Sequence, residues 1–132
     1  MKKIKIILIL IVGLLSCMHF FATAQEKSSW KELDNFHSIM SKTFHPSEEG
    51  NLNPLKEKSD SLVILAHQWK AALIPAGYKL AETEKGIKKL TKKCVALNTA
   101  VKNHIDDAAL TTMLKEAHEA FHYIVEECKD HK

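Results

Sequence analysis

The sequence lacks any segment in which apolar and polar residues alternate over the length of a β-strand. It also lacks a Gly/Ser-rich linker and an internal repeat, and it contains only 4 glycines and 3 prolines. The first absence argues against a sheet, and the second argues against a division into several domains. We therefore expect the chain of 132 residues to form one all-α domain.

The chain also has little net charge and few of the residue patterns that enzymes use. Its formal charge of +3 includes Lys2, Lys3 and Lys5, which belong to a segment predicted below to be removed, so the remainder is close to neutral. Nucleic-acid-binding proteins usually carry a strongly basic face, and neutrality argues against such a partner. No acid–base pair and no activated nucleophile stands out, so we predict no enzymatic activity and identify no substrate.

The start of the chain has the pattern of an export signal. Lysines within residues 2–5 precede the uncharged run Ile6–Leu15, and these are the basic and apolar regions of a signal peptide. Ala22-Thr23-Ala24 then places small residues at the two positions that signal peptidase recognises. We predict a signal peptide over residues 1–24 and an exported domain, periplasmic or secreted, over residues 25–132.

A second interpretation of the same region is a lipid anchor. The run Leu14-Leu15-Ser16-Cys17 resembles the lipobox of bacterial lipoproteins, in which the cysteine is acylated. Cys17 is followed by Met-His-Phe-Phe, whereas lipoproteins usually carry a polar tether there. A retained transmembrane helix would need ~20 apolar residues, which the uncharged run does not reach. We favour soluble export and keep membrane anchoring through Cys17 as the alternative.

Four segments of the predicted domain carry apolar residues at helical spacing. The stripes are Trp30, Leu33, His37, Met40 and Phe44; Leu55, Leu62, Ala66, Trp69 and Leu73; Ile87, Leu90, Cys94, Leu97 and Val101; and Leu110, Leu114, Ala117, Phe121, Ile124 and Cys128. The first and third stripes repeat at intervals of 3, 4, 3 and 4, the pattern of a helix-bundle seam. In the first stripe His37 occupies a core position.

Turn residues predict the limits of these helices. A Ser29–Glu32 capping box is expected to open the first helix, and Pro46 is expected to end it. Pro54 suits the first position of the second helix, Thr83 or the residues before it can cap the third, and Asp106 is the predicted N-cap of the fourth. Short connections imply an antiparallel up-down-up-down four-helix bundle.

Histidines on the first and last helices form the candidate site. His118 and His122 are four residues apart and lie on one face of the fourth helix. In an antiparallel bundle these two helices are neighbours, and the register places His37 level with Ala120, midway between them. Met40 lies about one turn away from His37. Three imidazoles are therefore predicted to meet at one height.

Three imidazoles are a suitable ligand set for a transition metal, and we predict Cu or Zn. The fourth position is left open between Met40, His45, Cys94 and water; a methionine would favour Cu(I). Because His118 and His122 flank the centre of their stripe, we expect a site in the groove between two helices, partly open to water. The alternative is that these histidines are structural and bind nothing. Three others, His67, His104 and His131, are expected to be ordinary surface or terminal residues.

The predicted arrangement of helices, methionine and histidines also resembles two groups of known proteins. Met40 on the first helix and His122 or His118 late on the fourth resemble the periplasmic four-helix cytochromes, which would imply a b-type haem with these residues as axial ligands. The Cys-x-x-Cys-His motif of c-type haem attachment is absent. His-x-x-Met in the first helix and His-x-x-x-His in the last resemble a family of small secreted proteins, which implies a binding role. A structural or helix-partner role without a ligand remains a third hypothesis.

The two cysteines of the predicted domain are not expected to pair with each other. If the third and fourth helices turn near residues 104–105, Cys94 lies level with Lys115, which puts Cys128 about 20 Å further along the axis. A disulfide allows only about 4.4–6.8 Å between the Cα atoms. Cys94 is predicted to be a small buried hydrophobe, and Cys128 is predicted to lie nearer the surface.

Overall fold

A computed structural model describes residues 30–130, which form four α-helices. We number them α1 (Lys31–Glu48), α2 (Asn53–Ala71), α3 (Leu80–Lys102) and α4 (Asp107–Glu126). The predicted all-α fold with four helices is confirmed for this part of the chain. The predicted signal peptide and Cys17 lie outside the described residues. None of the described helices is both long enough and apolar enough to cross a membrane.

Each helix packs against its neighbours in the chain, and α4 returns to contact α1. The hydrogen bonds between α2 and α3 show that these neighbouring helices are antiparallel. Thr91 of α3 donates a hydrogen bond to the Ala66 carbonyl of α2, whereas Asn98, further along α3, contacts the earlier Ser59. Helices α1 and α3 lie diagonally across the bundle and do not contact each other. The four helices therefore close into a ring around one core.

The core side of α1 differs from the predicted stripe. Phe36 is fully buried in the core, while the neighbouring His37 is exposed, so the prediction of a core position for His37 is wrong. The buried side chains of α1 are Phe36, Met40, Thr43 and Ser47. Burying an aromatic ring is more favourable than desolvating an imidazole, and this difference turns the helix by about one residue.

The predicted end of α1 at Pro46 is also wrong, because the helix continues through Pro46 to Glu48. It ends where Gly50 adopts the left-handed conformation, with φ of 81°. The Gly50 amide donates to the Ser47 carbonyl at 3.0 Å, and the Asn51 amide donates to the Pro46 carbonyl at 2.9 Å. These two bonds form a Schellman motif, which satisfies carbonyls of the last turn, including that of Pro46. Pro46 has no N–H, so the i→i−4 hydrogen bond to the Lys42 carbonyl is missing, and the cap bonds close the helix beyond it.

The start of α4 follows the prediction. The Asp106 side chain accepts a hydrogen bond from the Ala109 amide at 2.9 Å, so Asp106 is the N-cap. Helix α3 begins at Leu80, slightly before the predicted Thr83, and its end uses His104 in the left-handed region with φ of 53°. His104 is exposed, as expected for an ordinary surface residue, and its backbone forms part of the turn between α3 and α4.

Large side chains from all four helices fill the core. The aromatic members form a connected cluster in which the Phe36 ring lies 5.6 Å from Trp69 and 5.7 Å from Phe121. Trp30 packs edge-to-face on Trp69 at one end of the bundle. All the described core residues lie between Trp30 and Cys128, so the chain from residue 25 onward contains every contact of the described fold.

Both cysteines of the domain are unpaired and buried. The prediction that they do not form a disulfide with each other is confirmed, whereas the prediction of a Cys128 near the surface is wrong, since its exposed fraction is 0%. Cys128 is covered because the chain after α4 folds back: the Lys79 amide donates to the Cys128 carbonyl at 2.8 Å, and the Asp130 amide donates to the Gly77 carbonyl at 2.8 Å. Burial raises the pKa of the Cys94 thiol to about 12.

The buried thiols give a first prediction. Because thiolate is the reactive form and both cysteines are buried, a water-soluble disulfide reagent should label neither Cys94 nor Cys128 in the folded chain from residue 25 at pH 8. Both should react rapidly in 6 M guanidinium chloride. Fast labelling of the native protein, or a linked peptide from one monomer in non-reduced mass spectrometry, would contradict this description of the core.

The orientation of α1 gives a second prediction. Phe36→Ala should lower the free energy of unfolding by about 3–5 kcal/mol, because it leaves a cavity in the aromatic cluster. His37→Ala, one residue along, should lower it by less than about 1 kcal/mol, since an exposed ring loses only its stacking contact. Urea unfolding measures both values. Equal losses would show that the predicted stripe, with His37 inside, describes α1 better.

Candidate metal centre

Four histidines lie where α1 and α4 meet, and we call this surface the histidine face. His37 and His45 come from α1, and His118 and His122 come from α4. His37 and His45 are exposed, and the two histidines of α4 are half-buried. The face is therefore open to water along one edge and backed by the core along the other.

Two phenylalanines position the rings. His118 stacks on Phe44 with ring centroids 3.6 Å apart and an interplanar angle of 5°. His37 stacks on Phe121 at 5.2 Å and 8°. The second contact puts His37 level with residue 121, within one residue of the predicted register. The packing of α1 on α4 thus brings histidines from the two helices to the same height.

Within α4 the two histidines are close neighbours. The ring centroids of His118 and His122 are 4.5 Å apart, in an edge-to-face arrangement with an angle of 66°. One helical turn separates them, so their approach follows from the i, i+4 spacing. This pair is the closest contact between histidine rings on the face.

Two carboxylates hold histidines of the face, and the sequence interpretation missed both. His122 Nδ1 lies 2.8 Å from a carboxylate oxygen of Glu126, and His45 Nδ1 lies 3.1 Å from a carboxylate oxygen of Glu48. A carboxylate accepts hydrogen bonds, so each Nδ1 acts as the donor and, in the neutral ring, Nε2 keeps its lone pair. The spacings i, i+4 and i, i+3 on a helix were the signal that would have revealed these pairs.

The electrostatics of the face favour neutral imidazole at its centre. Burial lowers the pKa of His118 below its usual range, because it disfavours the charged form. Repulsion from His122 and His45, and more weakly from His37, lowers it further. The Glu48 carboxylate acts in the opposite direction. The other three histidines of the face therefore all disfavour the protonated form of His118.

The other predicted ligands lie away from the face. Met40 has an exposed fraction of 0% and belongs to the core, and Cys94 is buried on α3, which does not contact α1. No three side chains of His, Cys, Asp or Glu within residues 30–130 are arranged to hold a metal ion. The face thus brings His37, His45, His118 and His122 to one surface, but their nitrogens do not converge on a point.

The haem hypothesis rests on Met40 and His122. The structure places Met40 inside the aromatic core and His122 on the half-buried histidine face. None of the described contacts favours this pair, and axial ligation of haem by them stays a prediction. Of the histidines expected to be ordinary surface or terminal residues, His67 is exposed on α2, and His131 lies outside the described residues.

Comparison of the chain with protein-family models, with curated protein sequences and with solved structures gives no match.

The lowered pKa of His118 gives a third prediction. A group whose pKa is lower in the folded than in the unfolded state contributes stability above its unfolded pKa, near 6.5, and this contribution is lost as the pH falls through the folded value. The free energy of unfolding should therefore fall as the pH decreases below about 6.5, measured by urea unfolding with EDTA present. His118→Gln should flatten this dependence. His67→Gln, at an exposed position of α2, should leave it unchanged, and an equal flattening in both variants would contradict the assignment to His118.

Proposed function

We propose that the protein binds a divalent transition metal, Cu²⁺ or Zn²⁺, on the histidine face. The observation that carries the proposal is the pair of carboxylate–histidine hydrogen bonds, Glu126 to His122 and Glu48 to His45. Metal-binding histidines usually donate their second ring N–H to a carboxylate or carbonyl, which fixes the tautomer and makes the free nitrogen a better ligand. Here one such pair is supplied by each of the two helices.

The protonation state of His118 supports the same function. A metal binds neutral imidazole, so a histidine that resists protonation gives up no proton when the metal arrives at neutral pH. Burial and the neighbouring histidines keep His118 neutral.

Binding requires small ring rotations. Two imidazole nitrogens at about 2.0–2.1 Å from Zn²⁺ are roughly 3.3 Å apart in a tetrahedral site. The ring centroids of His118 and His122 are already 4.5 Å apart, so rotation of the two side chains is sufficient to present both Nε2 atoms to one ion. His118 would leave its stack on Phe44. His37 or His45 of α1 would then complete a three-nitrogen set, with water in the remaining position.

The position of the face suits a bound ion that is exchanged rather than permanently enclosed. His37 and His45 are exposed and Met40 is buried, which leaves imidazole as the accessible ligand type and favours Cu²⁺ or Zn²⁺ over Cu(I). Together with the predicted signal peptide over residues 1–24, this gives an exported metal-binding protein. The proposal involves no catalytic step.

Calorimetric titration of the chain from residue 25 with Zn²⁺ and Cu²⁺ gives a fourth prediction. His118→Ala and His122→Ala should each weaken binding at least roughly tenfold, and the combined alanine variant of His37, His118 and His122 should abolish it. Affinity should fall as the pH drops through ~6.5, because protons compete for the ligands. Unchanged affinity in the combined variant would remove this site.

Two matched variants test the role of the carboxylate. Glu126→Gln should weaken binding about 10- to 100-fold while leaving the fold intact, because the neutral amide oxygen is a weaker acceptor for the His122 Nδ1–H and the amide NH2 can donate to Nδ1 instead, which favours the other tautomer. Glu119→Gln removes the same charge from an exposed position of the same helix and should change affinity less than about twofold. If the two variants behave alike, net charge rather than the Glu126–His122 pair governs binding.

The haem hypothesis and the hypothesis of a role without a ligand predict different absorption spectra and metal titrations for the same purified protein. A Soret band after purification with haem supplied, lost in Met40→Ala, would replace the metal by a b-type haem. Absence of both metal binding and a Soret band would leave the structural or helix-partner role.

A further inference from the structure

The charges of the described bundle are distributed unevenly among the helices. Helix α3 contains six lysines and two glutamates, and both glutamates lie in its first five residues. No acidic residue occurs between Lys85 and Lys102. Helix α4 has the reverse composition, with one lysine and four acidic residues. A chain whose predicted mature part is nearly neutral thus concentrates positive charge on one helix.

Most of this charge is not neutralised within the described fold. Lys93 pairs with Glu116 at 2.6 Å, and Lys102 pairs with Asp60 at 2.8 Å. The remaining lysines of α3 form no ion pair with any of residues 30–130; they are Lys85, Lys88, Lys89 and Lys92, which we call the lysine ridge. All four are exposed.

The lysine ridge is unfavourable for the isolated helix. Lys85 and Lys89 are four residues apart, as are Lys88 and Lys92, and like charges at this spacing repel each other. Internal packing does not require these charges, because their side chains point away from the core. A negatively charged partner would convert the repulsion into attraction.

Exposed apolar side chains border the same helix. Four of the five large exposed apolar residues of the described chain lie on α2, on α3 or between them; they are Ile64, Leu73, Leu80 and Val95. The surface groove that contains Leu73 and Leu80 is lined by two lysines and one acidic residue, Lys70, Lys88 and Glu84. Val95 lies in a second groove with Lys70, Lys88 and Lys92. Leucines with exposed fractions of 93% and 61% therefore project beside unpaired lysines.

The ridge faces away from the candidate metal centre. Helix α3 is diagonal to α1, so its outer surface and the histidine face between α1 and α4 lie on different sides of the bundle. A partner bound to the ridge would leave His37 and His118 accessible to solvent.

From these observations we propose that the lysine ridge docks the protein onto an anionic phospholipid bilayer, with Leu73 and Leu80 entering the interface beside it. Each lysine near an anionic membrane increases affinity roughly fivefold, and one inserted leucine adds hydrophobic binding that salt does not screen. Exposed lysines without an ion pair and flanking exposed leucines are the combination that an anionic lipid surface accommodates. The inference is independent of metal binding.

Vesicle co-sedimentation of the chain from residue 25, in EDTA, tests this inference and is the fifth prediction. The protein should bind vesicles of phosphatidylglycerol and phosphatidylcholine at 50 mM NaCl and should not bind pure phosphatidylcholine vesicles. The combined variant Lys88→Gln, Lys89→Gln and Lys92→Gln should bind about a hundredfold more weakly. The combined control Lys31→Gln, Lys42→Gln and Lys115→Gln removes the same charge from α1 and α4 and should change affinity less than about fivefold.

The leucines separate a lipid surface from any other polyanion. Leu73→Ser with Leu80→Ser should weaken vesicle binding at least roughly tenfold, whereas Ile64→Ser, which lines neither groove, should have little effect. Circular dichroism verifies that each variant is folded. Three outcomes overturn the inference: no preference for anionic vesicles, equal losses in the two lysine variants, or full competition by duplex DNA with no effect of the leucine changes.

Discussion

The burial of Phe36 is the constraint on which the rest of the surface depends. Its ring contacts Trp69 of α2 and Phe121 of α4 and so ties α1 to two other helices. Because helical residues follow one another at about 100°, placing Phe36 in the core turns His37 outward. The burial of Phe36 therefore places His37 on the surface, although the sequence had predicted His37 in the core.

Where α1 meets α4, two phenylalanine rings contact both the apolar core and the histidines of the surface. Phe44 and Phe121 serve both as partners of the core and as platforms for imidazole rings. The stacking orients His118 and His37 without using their nitrogens, which remain free for a ligand. Carboxylates hold the other two histidines through Nδ1. The two carboxylate–histidine pairs, which leave Nε2 of His122 and of His45 free, are the physical basis for proposing a metal there, although His118 would have to leave its stack on Phe44 to bind.

The bundle presents different chemistry on different sides. Histidines and carboxylates occupy the seam of α1 and α4, while the lysine ridge occupies the outer side of α3. The separation follows from the topology, since α1 and α3 are diagonal in a ring of four helices. A small domain of this kind has room for two independent surfaces, and the proposals for metal binding and for membrane docking rest on separate residues.

The sequence by itself determined the number of helices, their approximate limits and the N-cap at Asp106, because apolar spacing and capping chemistry are local properties. It also determined which two helices carry the histidines and, through register, their common height. Only the tertiary structure decided the rotation of α1, since His37 and Phe36 both fit a helical stripe and the choice depends on the rings they meet across the bundle. The end of α1 at Gly50 is a local cap that the prediction of a stop at Pro46 missed. The burial of Cys128, by contrast, depends on hydrogen bonds between residues 77–79 and 128–130, which are distant in sequence and close only in the folded chain.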